Sequence, residues 1–200
     1  ALIRGEIAVL PTETLYALSC DVRHHPDVER LAALKGRSAG KPMPLIIGTM
    51  EHLNGIAVDV GRTHRLLMER FWPGPLTLVL PGRSGLPVGI VDVSGRVAVR
   101  LTSHPTAQRI CTLVGGALTA TSANRAGGVP AAMPEDLDPD IVTAVGIAHL
   151  DPPYPYGGSP STVAEVPREG EVLIHRSGAV VEEELSALGV MLLKPRTSLG

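Results

Sequence analysis

Lys35 to Lys41 places three cations and two glycines in seven residues, in the stretch Lys35-Gly36-Arg37-Ser38-Ala39-Gly40-Lys41-Pro42. Ammonium and guanidinium groups at such density, on backbone that glycine lets turn, can wrap a polyanion such as the phosphates of a nucleotide. The stretch is not a P-loop. Its glycine-to-lysine spacing is one residue short, and Pro42 stands where a magnesium-binding Ser or Thr is required. Basic residues at a helix C-terminus also complement the helix dipole without any ligand, which accounts for Lys35 and extends to Arg37 but not to Lys41. Both readings fit the stretch taken alone.

Other segments carry groups of the same kind. Pro11-Thr12-Glu13-Thr14-Leu15-Tyr16 follows a predicted strand, where α/β folds put ligand contacts, but side-chain hydrogen bonds within a turn explain it equally simply. Thr119-Ala120-Thr121-Ser122-Ala123-Asn124 and Ser159-Pro160-Ser161-Thr162 put hydroxyls and an amide at strand ends, suited to ribose, phosphate or an amino acid. Arg100 and Arg176 each close an apolar strand and can meet a carboxylate or phosphate. For either Arg alone, a water-exposed edge strand is the simpler reading. Phe71-Trp72-Pro73-Gly74-Pro75-Leu76-Thr77 holds the only Trp and the only Phe. It reads as architecture, with Trp72 as a core plug and Thr77 as a pocket candidate. The seven His are scattered without triad or metal spacing and read as surface or helix-flanking residues.

Alternating short strands and helices must position these groups. Strands are predicted at residues 6–10, 45–48, 77–80, 96–101, 118–122, 162–166 and 171–175. The first helix reads from Pro26 and Asp27, with Val28, Leu31 and Leu34 as its apolar stripe and Gly36 as its stop. Further helices are predicted over 61–71, over 103–114 with Ser103 as N-cap, and over 181–188. The pattern is one mixed α/β sheet with packed helices. Residues 127–158, rich in Pro and Gly, are either a lid or a long irregular connection.

With 200 residues and 44% apolar content, one domain over 1–195 and a short tail over 196–200 are expected. Eighteen Lys and Arg against twenty Asp and Glu leave a formal charge of −2, a poor balance for a protein whose main task is to hold duplex nucleic acid. Cys20 and Cys111 are far apart, against a zinc site or disulfide framework and in keeping with a reducing compartment. With neither a signal peptide nor a long apolar run, a cytoplasmic location and no membrane partner are expected.

In fixed order, LPTETLYALSCD, LAALKGRSAGKPMPLII, FWPGPLTLVL, VAVRL followed by HP, ATSANRAGG, SPSTV and VLIHRSG resemble the YrdC-like family of threonylcarbamoyl-AMP synthases. The resemblance runs from about Leu10 to Gly178. It implies an α/β fold of YrdC-like type, a curved mixed sheet with flanking helices and a concave basic cavity. It also implies an activity: L-threonine, bicarbonate and ATP give threonylcarbamoyl-AMP and pyrophosphate, which supplies the t6A modification of tRNA completed by a separate transferase complex. Magnesium is expected to arrive with ATP, since no dedicated metal cage is evident.

By position, the resemblance implies that Lys35, Arg37 and Lys41 serve nucleotide and phosphates, with Lys35 and Arg37 catalytic. It puts Arg176 and Asn124 near ATP, and assigns Thr14, Arg100, Ser122 and Ser161 to threonine, Arg100 on its carboxylate. Four places depart from the pattern: Ala17 for Gly, Leu101-Thr102 for a hydrophobic-Pro pair, Ala131-Ala132 for Ser or Thr, and His175 and Ser177 beside Arg176. Ala131-Ala132 is expected to remove a nucleotide contact. Two other readings stand beside the synthase: a double-stranded RNA or tRNA-binding protein without synthase activity, and a paralogue with a different amine or carbamoyl substrate.

Overall fold

The computed structural model describes residues 1–36, 42–125 and 127–195. In chain order the first elements are β1 (Ala8–Pro11), β2 (Tyr16–Ser19), α1 (His25–Leu34), β3 (Leu45–Ile47), α2 (Arg62–Phe71), β4 (Leu76–Pro81) and β5 (Arg96–Leu101). They are followed by α3 (Pro105–Val114), β6 (Leu118–Thr119), β7 (Thr121–Ser122), α4 (Pro139–Val145), β8 (Thr162–Glu165), β9 (Glu171–Arg176), α5 (Glu182–Ser186) and β10 (Met191–Leu193).

Seven strands form a mixed sheet in the order β10-β9-β8-β4-β5-β3-β6, and β1, β2 and β7 form a small antiparallel one. In the large sheet β4 pairs parallel to β8 and antiparallel to β5, while β5 runs parallel to β3. In the small sheet β1 and β2 make a hairpin whose connection, Thr12 to Leu15, closes on itself through the Thr12 N–H and the Leu15 carbonyl at 3.2 Å.

Strand periodicity explains how the core and the polar groups separate. Side chains alternate faces along β5, so Val97, Val99 and Leu101 enter the main apolar core while Arg96, Ala98 and Arg100 face the other way. A second apolar cluster gathers Ala8 and Leu10 of β1, Ile46 of β3, Leu118 of β6, and Ala107 and Cys111 of α3. On α1, Val28 and Leu31 are wholly buried, and Gly36 turns with φ +58°, the left-handed region glycine tolerates. Trp72 is the expected plug: it is buried and donates its ring N–H to the Leu76 carbonyl at 2.6 Å.

Several sequence expectations change. The strand expected over 118–122 is two strands in different sheets, because the chain leaves β3 after Thr119 and pairs with β2 from Thr121. β2 lies where a turn and its exit were expected, and β10 lies beyond the last strand expected. The helix expected from Ser103 starts at Pro105, preceded by His104, which gives no side-chain cap. Residues 127–158 contain α4, whose N-cap Asp138 accepts from the Asp140 N–H at 2.9 Å. The following chain runs back along β1, with the Val9 N–H on the Ile147 carbonyl and the His149 N–H on the Val9 carbonyl, both at 2.9 Å. The tail, 196–200, lies outside the described residues. Among those described, no helix is long and apolar enough to cross a membrane.

Candidate functional site

A cleft of about 220 Å³ opens between the two sheets. The small sheet and its hairpin loop contribute Thr12, Thr14, Ala17 and Ser122, and the large sheet side contributes Arg100, Ser161 and Arg176. Pro44, Ala120, Pro130 and Pro160 add rigid apolar wall. Five residues singled out in the sequence, Thr14, Arg100, Ser122, Ser161 and Arg176, therefore meet from five separate stretches of chain.

Arg100 is not the exposed edge residue that the strand alone suggested. β5 is an interior strand, and Arg100 is only 4% exposed. Its Nε donates to Glu13 Oε1 at 2.6 Å and its Nη2 to Thr12 Oγ1 at 3.1 Å. Among the described residues these take two of its five N–H groups. Thr102 Oγ1 donates to the other Glu13 oxygen at 2.5 Å. Burial alone would raise the Glu13 carboxyl, but the Arg100 charge and the Thr102 hydrogen bond hold it below the ordinary glutamate value. Thr102 is thus a part of the site that sequence reasoning missed, and Glu13, though inside a segment singled out for possible ligand contacts, was not paired with Arg100. The available signal was a carboxylate and a hydroxyl at the ends of two otherwise apolar strands.

Arg176 reaches back from β9 to Ser161, with Nη2 donating to the Ser161 carbonyl at 2.7 Å and to its Oγ at 3.1 Å. Ser161 Oγ also accepts from buried Thr77 Oγ1 at 2.9 Å, so Thr77 supports the cleft from behind Ser161. Burial first, and then the neighbouring Arg100 charge, pull the Arg176 guanidinium below its usual pKa. Two guanidiniums on one cleft wall, with one carboxylate between the pair and the hairpin, leave a surplus of positive charge for an anion.

Lys35 and Asn124 do not line the cleft but are tied to its Ser122 wall. Lys35, 7% exposed, donates from Nζ to the Ser122 carbonyl at 2.7 Å, to Asn124 Oδ1 at 3.2 Å and to the Asn124 carbonyl. Asn124 in turn donates its amide to the Gly128 and Arg125 carbonyls, at 2.6 and 2.9 Å. It therefore braces Lys35 and the loop after β7. Arg37 and Lys41 lie outside the described residues. Ala131 is a core residue, 1% exposed, whose carbonyl accepts the Tyr16 N–H at 2.9 Å, so its apolar character serves packing.

His104 flanks α3 as its N-cap residue, in keeping with the helix-flanking reading, but it and His64 of α2 are buried and not at the surface. Burial pushes the Cys20 thiol up to about 11 and the Cys111 thiol up to about 12, which leaves neither as a thiolate nucleophile near neutral pH.

The family model described as telomere recombination, for Sua5, YciO and YrdC proteins, matches residues 1–178. The chain belongs to the Sua5/YciO/YrdC family. A family relative, the threonylcarbamoyl-AMP synthase of Thiobacillus denitrificans, is 42% identical over 130 residues, covering 65% of this chain and 69% of its own. The threonylcarbamoyl-AMP synthase of Xylella fastidiosa (strain M23) is 34% identical over 176 residues, 86% and 92% of the two chains. Among solved structures, P. abyssi Sua5 complexed with L-threonine superposes with TM-score 0.84 at 27% identity. That match covers 96% of this chain but 56% of the P. abyssi one, so this chain spans little more than half of that longer relative.

Proposed function

We propose that this chain is a threonylcarbamoyl-AMP synthase, an enzyme that joins L-threonine, bicarbonate and ATP into threonylcarbamoyl-AMP with release of pyrophosphate. The observation that carries the reading is the convergence of Arg100, Arg176, Thr14, Ser122 and Ser161 on one cleft, with Lys35 fastened to its wall, in a chain whose family relatives bear that name.

In this reading threonine sits against Arg100, whose uncommitted N–H groups take the carboxylate, with Thr14, Ser122 and Ser161 around the amino and hydroxyl groups. The amine adds to CO2 from bicarbonate to form a carbamate, which water would reverse, and the cleft walls of Pro44, Ala120 and Pro130 limit water. A carbamate oxygen then attacks the α-phosphate of ATP, and pyrophosphate leaves. Arg37, with the Lys35 charge fastened behind the Ser122 wall, neutralises charge on the transferring phosphate, Lys41 and Arg176 hold the nucleotide and its phosphates, and Asn124 keeps Lys35 in place beside them. Magnesium enters with ATP. The inert thiols fit a reaction without a covalent enzyme intermediate. The product supplies tRNA t6A modification, and the unpaired cysteines suit a cytoplasmic setting.

A coupled pyrophosphate-release assay with threonine, with serine and with no amino acid tests the reading. Release that needs threonine, bicarbonate and ATP together is expected. Release indifferent to threonine, or none with fresh protein and magnesium, overturns it. Lys35→Ala and Arg37→Ala are expected to abolish release while the fold persists. Salt-sensitive tRNA binding without turnover would instead favour an RNA-binding protein.

A further inference from the structure

Arg100 is one end of a buried polar chain that leaves the cleft. It binds Glu13, Glu13 accepts from Thr102, and Thr102 Oγ1 accepts the His104 backbone N–H at 3.2 Å. Thr102 and His104 are wholly buried. The His104 ring then meets the Pro153 carbonyl, with Nε2 at 3.0 Å from the oxygen. A carbonyl only accepts, so Nε2 carries the proton and the neutral imidazole leaves Nδ1 bare. Nδ1 is fully enclosed and has no hydrogen-bond partner among the described residues.

The segment that His104 holds is itself tied to the site. The Tyr156 N–H donates to the Glu13 carbonyl at 3.4 Å and the Gly157 N–H to the Thr14 carbonyl at 3.0 Å. Residues 153–157 are therefore fixed at three points, two of them on the loop that carries Glu13 and Thr14.

We propose that His104 is a positioning residue: its neutral ring pins residues 153–157 against the Thr12–Leu15 loop and, with Thr102, holds Glu13 and Arg100 ready for the substrate carboxylate. Protonation would put a second N–H at Nδ1, which has no hydrogen-bond partner among the described residues, and would place a cation in the interior. The groups that face the ring set the balance. Burial disfavours the imidazolium first, the Pro153 and Tyr154 carbonyls and the Glu13 charge favour it, and His149, from the stretch after α4, opposes it. Acid therefore loosens the 153–157 segment before it reaches the rest of the sheet. The identity of the carboxylate ligand rests on the synthase reading; the pinning does not.

Amide hydrogen exchange tests the pinning without any activity, with Gly157 read against Val99 in the core of β5. From about pH 7.5 to about pH 5, where histidine changes charge, wild-type Gly157 is expected to lose severalfold more protection than Val99. His104→Gln keeps a neutral donor and is expected to flatten that pH response. His104→Ala is expected to expose Gly157 at both pH values and to raise the threonine KM about tenfold, with kcat changed less. Equal pH responses in wild type and His104→Gln, or wild-type protection in His104→Ala, overturn the proposal. If His104→Ala does not fold, the comparison of wild type with His104→Gln decides alone. A wild-type protein that releases no pyrophosphate with threonine overturns the synthase reading, and the exchange data still decide the role of His104.

Discussion

Arg100 Nε lies 2.6 Å from Glu13 Oε1, and the two side chains keep only 5% and 2% of their surface in contact with solvent. The pair joins β5 of the large sheet to the hairpin loop of the small one, across the floor of the cleft. Removing one partner of such a pair strands the other charge, at a cost of about 3–5 kcal/mol. Glu13→Ala is expected to lose stability in that range, measured by urea denaturation. Glu13→Gln keeps the shape and one acceptor oxygen, for Arg100, with its NH2 turned to the Thr102 oxygen, and is expected to lose less. An unchanged midpoint in Glu13→Ala would show that the pair does not hold the sheets together.

Lys35 Nζ donates to two backbone carbonyls, of Ser122 and Asn124, and to the Asn124 amide oxygen. Lys35→Met keeps the stem and deletes the donors. Hydrogen bonds to a charged group contribute about 1.5–3 kcal/mol each way of counting, so a loss of that order is expected in thermal or urea melts. Asn124→Ala is expected to reproduce part of the same loss, because Asn124 also holds Gly128. A double variant whose losses simply add would show that the two side chains act independently.

The strands that carry Arg100 and Arg176 were legible because each is a short β-branched or apolar run bounded by turn residues; residues 96–101 match β5 end to end. β2 was not legible. Tyr16 to Ser19 is buried on both faces, so it lacks the alternation that marks a half-exposed strand, and no Gly or Pro separates it from its loop. α4 did carry a local signal, Asp138 at the N-cap with Pro139 following, which the surrounding Pro and Gly obscured. The site residues were legible as types, but not their partnerships. Glu13 and Thr102 are 89 positions apart, and only the crossing of hairpin loop and β5 brings them together.

Gly178 follows β9 and packs against the chain that presents Ser161. A Cβ there would stand 2.2 Å from the Pro160 carbonyl oxygen and 2.7 Å from the Thr162 nitrogen. Both neighbours are backbone, which cannot swing aside as a side chain can. Gly178→Ala is expected to cost about 1–3 kcal/mol and to displace Ser161 from Thr77 and Arg176. The check is a melt together with threonine affinity by calorimetry; wild-type values for both would refute the close-packing account.

Acid is expected to destabilise the fold in two stages. Burial lowers the pKa of His64 and His104 in the folded chain, so the unfolded chain takes up these protons first. Their contribution is complete above about pH 6.5 and is lost as pH falls through the folded values. Glu13 is also lowered, through Arg100 and Thr102 acting against burial, so its contribution disappears at still lower pH, in the carboxylate range. Melting temperatures from neutral to acid pH should fall in both windows, and His104→Gln should remove part of the first. A melting temperature flat between pH 7 and about 5 would contradict the histidine assignment.

β6 and β7 are consecutive stretches of one chain that belong to different sheets, with only Ala120 between them. The Ala120 N–H donates to the Pro44 carbonyl at 2.7 Å, and both residues line the cleft. The seam of the two sheets is therefore a covalent stitch that runs through the wall of the cleft itself. Neither sheet can slide past the other without tearing ladder bonds on both sides of that stitch. The spacing of the two cleft walls is thus coupled to the pairing of both sheets at a single residue, Ala120.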